Sequence, residues 1–468
     1  MSRNQAIDHA AEHFDSGRFL ERLNRSVGHP TESQNPERLG ELYRYLESFI
    51  KPYVEGMGFT VTIHDNPVAG RGPLMIATRM ENSALPTVLS YGHGDVVRGY
   101  DAQWREGLAP WQVVVEGDRW YGRGTADNKG QHLINLAALE QVIKVRDGTL
   151  GFNVKLLLEM GEEDGSPGLS QFCAEHPQEL AADVFIASDG PRLSAARPTL
   201  FLGSRGVFNF ELSVTCREGA HHSGNWGGLL ANPGIILANA LASLVDQKGQ
   251  VKVAALKPKA IPAAVKAALA DIEVGSGPGD PAIDPNWGEP GLSGSEKVFG
   301  WNTLDVLTFK TGNPEAPVHA IPGRAWALCH IRFTVDSDYQ TFIPAIRAHL
   351  DAHGFDQVQV QGTKMDVMHA TRLDPNSPWV RWASDSLART TAKQPALLPN
   401  LGGSLPNDVF AEVLGLPTVW IPHSYPACSQ HAPNEHLLAP VVRESLQIMA
   451  GIFWDLGEDG PRLVKECA

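Results

Sequence analysis

The sequence predicts an α/β architecture: a mostly parallel sheet with helices on both faces, carrying a smaller inserted α+β unit. Three observations lead there. Short apolar strand segments alternate with helical stretches up to about Gly203. From that point the strands become longer and alternate polar with apolar residues. After about residue 366 the helix-and-strand pattern returns. The expected division is 1–203 for the first part of the larger domain, 204–366 for the insert and 367–468 for the second part.

The opening reads as helices. Over 36–56, Leu39, Leu42, Tyr43, Leu46 and Ile50 recur at helical spacing, and Pro36 stands near the start, where a missing N–H costs nothing. Strands follow at 59–64, 73–79 and 86–92. A helix over 128–145 presents Leu133, Leu136, Ala137, Val142 and Ile143 on its apolar side. Short apolar strands come next at 152–160 and 183–188. The insert begins with the alternating strand 208–216 and a helix over 232–246. It continues with strands at 305–311 and 325–335, a helix over 339–353 and a strand at 357–360, a βαββαβ-like order. The segment 275–294, rich in Gly, Pro and Asp, reads as a loop, and a helix over 441–456 ends the pattern.

The chain has 468 residues, 43% of them hydrophobic, enough for two domains with real cores. A formal net charge of -14, with no Lys/Arg block, argues against a nucleic-acid surface. Five scattered cysteines without a CxxC fit a reducing compartment. The first residues lack the apolar stretch of a signal peptide, and no run reaches membrane-span length. A cytoplasmic protein with no membrane partner is the expectation.

Chemistry-bearing residues gather at the ends of apolar runs. They are His93 in GHGDVV, Asp127 in GRGTADNKG, Glu162 and Glu163 in MGEEDGS, Asp189 in SDGP and His431 in QHAPNEH. Each has an ordinary alternative. His93 could be a strand-end histidine held by Asp95, Asp127 a helix cap, the Glu pair a solvated acidic turn, Asp189 a turn residue and His431 part of a surface loop. Their joint presence points to two divalent metals, which need this mixture of imidazole and carboxylate. Adjacent carboxylates repel, so burying Glu162 beside Glu163 calls for a cation. Asp95, two residues from His93 on an extended chain, is placed to fix its tautomer. In open sheets ligands collect outside the carboxyl ends of strands, where the first four segments lie.

Taken in order, GHGDVV, WYGRGTADNKG, MGEEDGS, SDGP, HHSGNWGG, AIPGRAWALCHIRF, GGSLP and HAPNEH resemble the dimetal exopeptidases. That family includes carnosine dipeptidases, aminoacylases, carboxypeptidase G and succinyl-diaminopimelate desuccinylase. HHSGNWGG and GGSLP are most similar to the dipeptidase branch. The resemblance implies that Asp127 bridges two metals, with His93 and Asp189 on one and Glu163 and His431 on the other. Zinc is the first choice, manganese or cobalt the alternatives. It implies that Glu162 is the general base and that the insert is a lid and dimerisation domain. His222 would then stabilise the oxyanion across a homodimer interface, and Arg332 would bind the substrate carboxylate. Ser404 and Gly403 would approach the substrate, with His319 beside it. The implied reaction is hydrolysis of the amide bond of dipeptides or related small peptides; the alternative is an N-acyl- or N-carbamoyl-amino-acid amidohydrolase on the same fold. Two positions depart from the carnosinase pattern. Leu401 stands where an acid often precedes GGS, and His319 where Asn or Thr often precedes AIP.

Overall fold

The computed structural model describes residues 1–467 apart from 276, 278, 279 and 364–366. Its main sheet has eight strands, in the order Thr60–His64, Leu74–Arg79, Asn153–Glu159, Thr87–His93, Val184–Ala187, Thr418–Trp420, Thr199–Phe201 and Ala396–Leu398. The four strands from Asn153–Glu159 to Thr418–Trp420 run parallel, as does the pair Thr199–Phe201 and Ala396–Leu398. The first two strands join antiparallel, and Trp420 meets Phe201 antiparallel. The sheet is therefore mixed but mostly parallel, as the alternating pattern predicts.

Side chains of period two split this sheet into two cores. Val88, Leu156 and Ile186 face one cluster, while their neighbours Leu89, Leu157 and Phe185 face the other. The first cluster is closed by helices Arg3–Asp15, Arg18–Val27, Lys129–Val145 and Ala439–Cys467. The second is closed by Leu169–Glu175, Ala263–Leu269 and the turn Val409–Val413. Burial on both faces explains why these strands read as continuous apolar runs.

A separate antiparallel sheet has the order Thr303–Thr311, Arg324–Phe333, Gly206–Thr215 and Gln359–Gly362. Its inward residues Phe208, Phe210, Leu212 and Val214 pack against Leu237, Leu241, Ile346 and Leu350 of helices Pro233–Leu244 and Phe342–Ala352. The βαββαβ order read from the sequence is present, but with two added helices, Ala263–Leu269 and Gly294–Phe299. Ile261, Val265, Leu269, Ile272 and Phe299, inside the expected insert, pack into the main sheet's second core instead. The expected end of the insert at residue 366 lies outside the described residues, as does part of the 275–294 loop.

Three features differ from the sequence reading. The last helix runs to Cys467 rather than stopping near 456, although Gly457, Gly460 and Pro461 look like stop signals. Those glycines serve close packing instead: a Cβ on Gly457 would lie 2.2 Å from the Leu150 carbonyl oxygen, and one on Gly460 2.7 Å from Pro86. Within 36–56, the turn Tyr45–Ile50 before Pro52 is π-helical. Finally, a small sheet pairs Val114–Glu116 with Arg119–Tyr121 and then with His436–Leu438. That last pairing draws the HAPNEH segment onto the GRGTADNKG turn, and Gly122 N–H donates to the Glu435 carbonyl at 3.0 Å. Among the described residues no helix is long and apolar enough to cross a membrane.

Candidate metal centre

Three loops at the carboxyl ends of the parallel strands meet the Asp127 turn and the 428–435 loop. The Asp127 turn follows Arg119–Tyr121 of the small antiparallel sheet, not a parallel strand as the sequence suggests. His93 closes its strand, Glu162 and Glu163 follow Asn153–Glu159, Asp189 follows Val184–Ala187, and Asp127 lies in the turn before Lys129–Val145. His431 arrives from the far end of the chain with φ +59°, flanked by Ser429 at +59° and Asn434 at +66°. Three non-glycine residues in this sparsely populated region mark a loop held by its surroundings.

The six residues form one cluster. Asp127 turns one oxygen to each imidazole: Oδ1 is 3.1 Å from His93 Nε2 and Oδ2 is 2.9 Å from His431 Nε2. Asp189 Oδ2 is 3.5 Å from His93 Nε2, and Glu163 Oε2 is 3.0 Å from His431 Nε2. Two overlapping triads result, His93–Asp127–Asp189 and Asp127–Glu163–His431, each with its donor atoms within 4.8 Å of one another. Glu162 belongs to neither. Its Oε2 approaches His93 Nε2 only to 4.0 Å, and it lines the adjoining cavity. The two adjacent glutamates thus face different ways.

The donor set fits divalent cations. Glu163 Oε1 and Asp189 Oδ2 are buried with no hydrogen-bond partner, a costly arrangement for carboxylate oxygens unless a cation meets them. Burial raises the Glu163 carboxyl to about 7, and the charge of Asp127 adds to it. Glu162 is also pushed well up, first by burial and then by its acidic neighbours against the pull of His93. Burial opposes charge on His93, but Asp127, Asp189 and Asp95 outweigh it and hold the imidazole well above its usual range. His431 rises to about 11 through Asp127 and Glu163. Both shifts have one cause, the carboxylates packed around the two imidazoles.

Asp95 does more than the sequence suggests. Its main-chain oxygen is the nearer contact of His93 Nδ1, at 3.1 Å against 3.4 Å for Oδ1. Its carboxylate accepts the N–H groups of Glu162 at 3.2 Å and Glu163 at 3.0 Å, which fixes the turn carrying both acids. Two residues escaped the sequence reading altogether. Gln430 donates to Asp127 Oδ2 at 3.1 Å. Glu435, buried, accepts Arg123 Nη1 at 2.8 Å and the N–H groups of Gly124, Ala126 and Asp127 at 3.1, 2.9 and 3.0 Å. Its carboxylate therefore organises the turn that delivers Asp127. The pattern HAPNEH contained this acid, but nothing local tied it to a partner about three hundred residues upstream.

The expected substrate-side residues are only partly brought together. Arg332 Nη1 donates to Ser404 Oγ at 2.6 Å, and Ser404 donates to the Arg205 carbonyl at 2.6 Å. Ser404 and Gly403 line the cavity that also holds Asp127, Glu162, Asp189 and His431. A Cβ on Gly403 would meet nothing closer than Leu401 at 3.7 Å, so space does not demand glycine there. His222 and His319 do not line this cavity within the chain. His222 is exposed, and its Nδ1 accepts the Gly224 N–H at 3.1 Å, while the His319 carbonyl holds Ser223 N–H and Oγ at 2.9 and 3.0 Å.

Comparison with known proteins agrees with the resemblance. The model of peptidase family M20/M25/M40 matches residues 89–455. A cysteinylglycine-S-conjugate dipeptidase of Corynebacterium striatum is 29% identical over 50% of this chain and 51% of its own length, so the chain spans about half of that relative. The Cys-Gly metallodipeptidase DUG1 of Candida albicans is 25% identical over 90% of each. The crystal structure of human carnosine dipeptidase 1 has the same fold, with a TM-score of 0.78 at 21% identity, covering 98% of this chain and 99% of that one. With the family model matching most of its length, the chain belongs to peptidase family M20/M25/M40.

Proposed function

We propose that the protein is a two-metal dipeptidase. One observation carries the reading: Asp127 presents its two oxygens to two separate imidazoles, the arrangement a bridging carboxylate needs. His93 and Asp189 would complete one site, Glu163 and His431 the other. Three protein ligands each leave open positions, which mark catalytic rather than structural sites. Imidazole and carboxylate suit zinc first, then manganese or cobalt. Bound there, such cations supply Lewis acidity and acidify water.

The chain's own groups do the rest. Glu162, turned into the cavity and outside both triads, takes the proton of the attacking water and returns it to the leaving amine. Asp95 holds the Glu162 backbone in place. Arg332, presented by Ser404, offers its guanidinium fork to the substrate carboxylate.

The sheet insert, 204–366, serves as lid and dimer interface. Its outer strand Thr303–Thr311 is a sheet edge with Val306, Leu307 and Phe309 exposed, and Ile235 is exposed on the neighbouring helix. An exposed apolar edge calls for a partner strand. In that homodimer His222 would reach the other subunit's site and steady the oxyanion. The five cysteines, all free, fit a reducing cytosol.

The test is amino-acid release from a dipeptide library, run beside N-acetyl and N-carbamoyl amino acids, with zinc, manganese and cobalt supplied in turn. Cleavage of dipeptides supports the reading. Cleavage of acyl or carbamoyl substrates alone overturns it.

A further inference from the structure

At the edge of the main sheet two histidines and a glutamate converge. His64 closes the edge strand Thr60–His64, His176 lies between helices Leu169–Glu175 and Pro177–Leu180, and Glu179 belongs to the second of these. Each offers one donor atom, and the three atoms lie within 4.8 Å of one another. Strand register sets this group apart from the metal centre: His64 pairs with Leu74, Leu74 with Glu159, and Glu159 with His93. Three strand spacings of ~4.8 Å put roughly 15 Å of sheet between His64 and His93.

Local packing holds the three in place. Both imidazoles stand on Phe172, a buried member of the second core, whose ring centroid is 5.2 Å from that of His64 and 4.3 Å from that of His176. The two imidazoles are 4.8 Å apart, crossed at 62°. The His176 N–H donates to the Phe172 carbonyl at 3.0 Å, and Pro177 opens the next short helix. Glu179 follows one turn on, its Oε1 2.6 Å from His176 Nδ1. Lys155 Nζ pins the same helix through the Gln178 carbonyl at 3.1 Å. The donors are thus gathered in advance, so little ordering remains to be done when a ligand binds.

Hydrogen bonding does not account for the grouping. Among the described residues His64 Nε2 is buried with no partner, an arrangement native structures ordinarily avoid. Two imidazoles and a carboxylate are a donor set that suits zinc, with bonds of ~2.0–2.2 Å, and small side-chain rotations bring all three onto one ion. Glu179 is exposed, which leaves a fourth position open to water. One carboxylate here, against three among the ligands of the two-metal centre, makes this the weaker site.

We propose that His64, His176 and Glu179 form a divalent-metal site of their own, suited to zinc, which clips the edge strand to the helix pair behind the Glu162–Glu163 turn. Asn66 Nδ2 already donates to the Pro167 carbonyl at 2.9 Å between the same segments, and the ion adds a second clip.

The experiment is equilibrium dialysis of the full chain against zinc, with bound metal counted. Wild type should bind two tight equivalents and, in excess zinc, a weaker third. His64→Gln and Glu179→Gln should each weaken that third equivalent at least ~10-fold and leave the first two unchanged. Because Glu179 is exposed, its substitution does not threaten the fold. Zinc beyond two equivalents should also raise the wild-type Tm by mass action, and the rise should vanish in both variants. Asp127→Ala should lose metal at the centre and keep the weak equivalent. Zinc binding that either His64→Gln or Glu179→Gln leaves unaltered overturns the assignment. A single equivalent, abolished by both of these and kept in Asp127→Ala, would sink the two-metal reading and leave the peripheral site standing.

Discussion

Removing the charge of Glu435 should damage both the fold and the metal centre. Its carboxylate takes four donors, and glutamine can keep one oxygen only. The amide nitrogen must then face either Arg123 and Gly124 or the N–H pair of Ala126 and Asp127. Arg123 is fully buried, and among the described residues its Nε and Nη2 have no hydrogen-bond partner and Glu435 is its one counter-charge. Breaking a buried pair from one side costs about 3–5 kcal/mol. Urea unfolding of metal-free Glu435→Gln should show a loss of that size. Metal affinity, read by competition with a chromophoric chelator, should fall about 10- to 100-fold, the usual effect of removing a group that orients a ligand. Adding Arg123→Met removes the orphaned cation and should recover a large part of the stability without restoring the affinity. Unchanged stability, or a metal affinity within about threefold of wild type, would refute a positioning role for Glu435.

Three further outcomes follow from the same geometry. Asp127→Ala should lower metal content as well as activity, because both triads lose a member; two equivalents bound at unchanged affinity would show that Asp127 is only a helix cap. His222→Ala should retain metal but lose about 10²–10³-fold in rate, the scale for one oxyanion donor. Mixed dimers with Glu162→Gln should regain activity that neither parent has, and inactive mixed dimers would place His222 outside the partner's site. His13 tests the fold away from the site. It is buried with neither ring nitrogen paired, and burial, aided by the charge of Arg22, lowers its pKa from 6.5 to about 4. Between these values the unfolded chain binds the extra proton, so this contribution is full above pH 6.5 and is lost as pH falls toward 4. His13→Phe should therefore gain about 1–2 kcal/mol on wild type between pH 7 and pH 5; a pH-independent difference would contradict it.

Much of the site was legible because its residues announce themselves locally. His93, Glu162, Glu163 and Asp189 each follow or close an apolar run, and the parallel order of those runs sends their ends to one edge, whereas Asp127 arrives from a turn after the small antiparallel sheet. Glu435, Gln430 and the true role of Asp95 were not legible, since each acts through a fold-dependent contact with a turn or ligand. Strands of three residues, such as Thr199–Phe201 and Ala396–Leu398, exist only through pairing and carry no periodicity of their own. The end of the last helix is not legible because glycine and proline ordinarily stop a helix, whereas Gly457 and Gly460 let Leu150 and Pro86 come close.

In the proposed two-metal centre five ligands hold the metals while Glu162 handles the proton. The most direct measurement is metal content and dipeptide turnover of Glu162→Gln, made on the same sample. Two metal equivalents with turnover reduced at least ~10²-fold are expected, because the amide keeps the shape of the side chain but cannot accept the proton. Near-normal turnover at full metal content would contradict the claim.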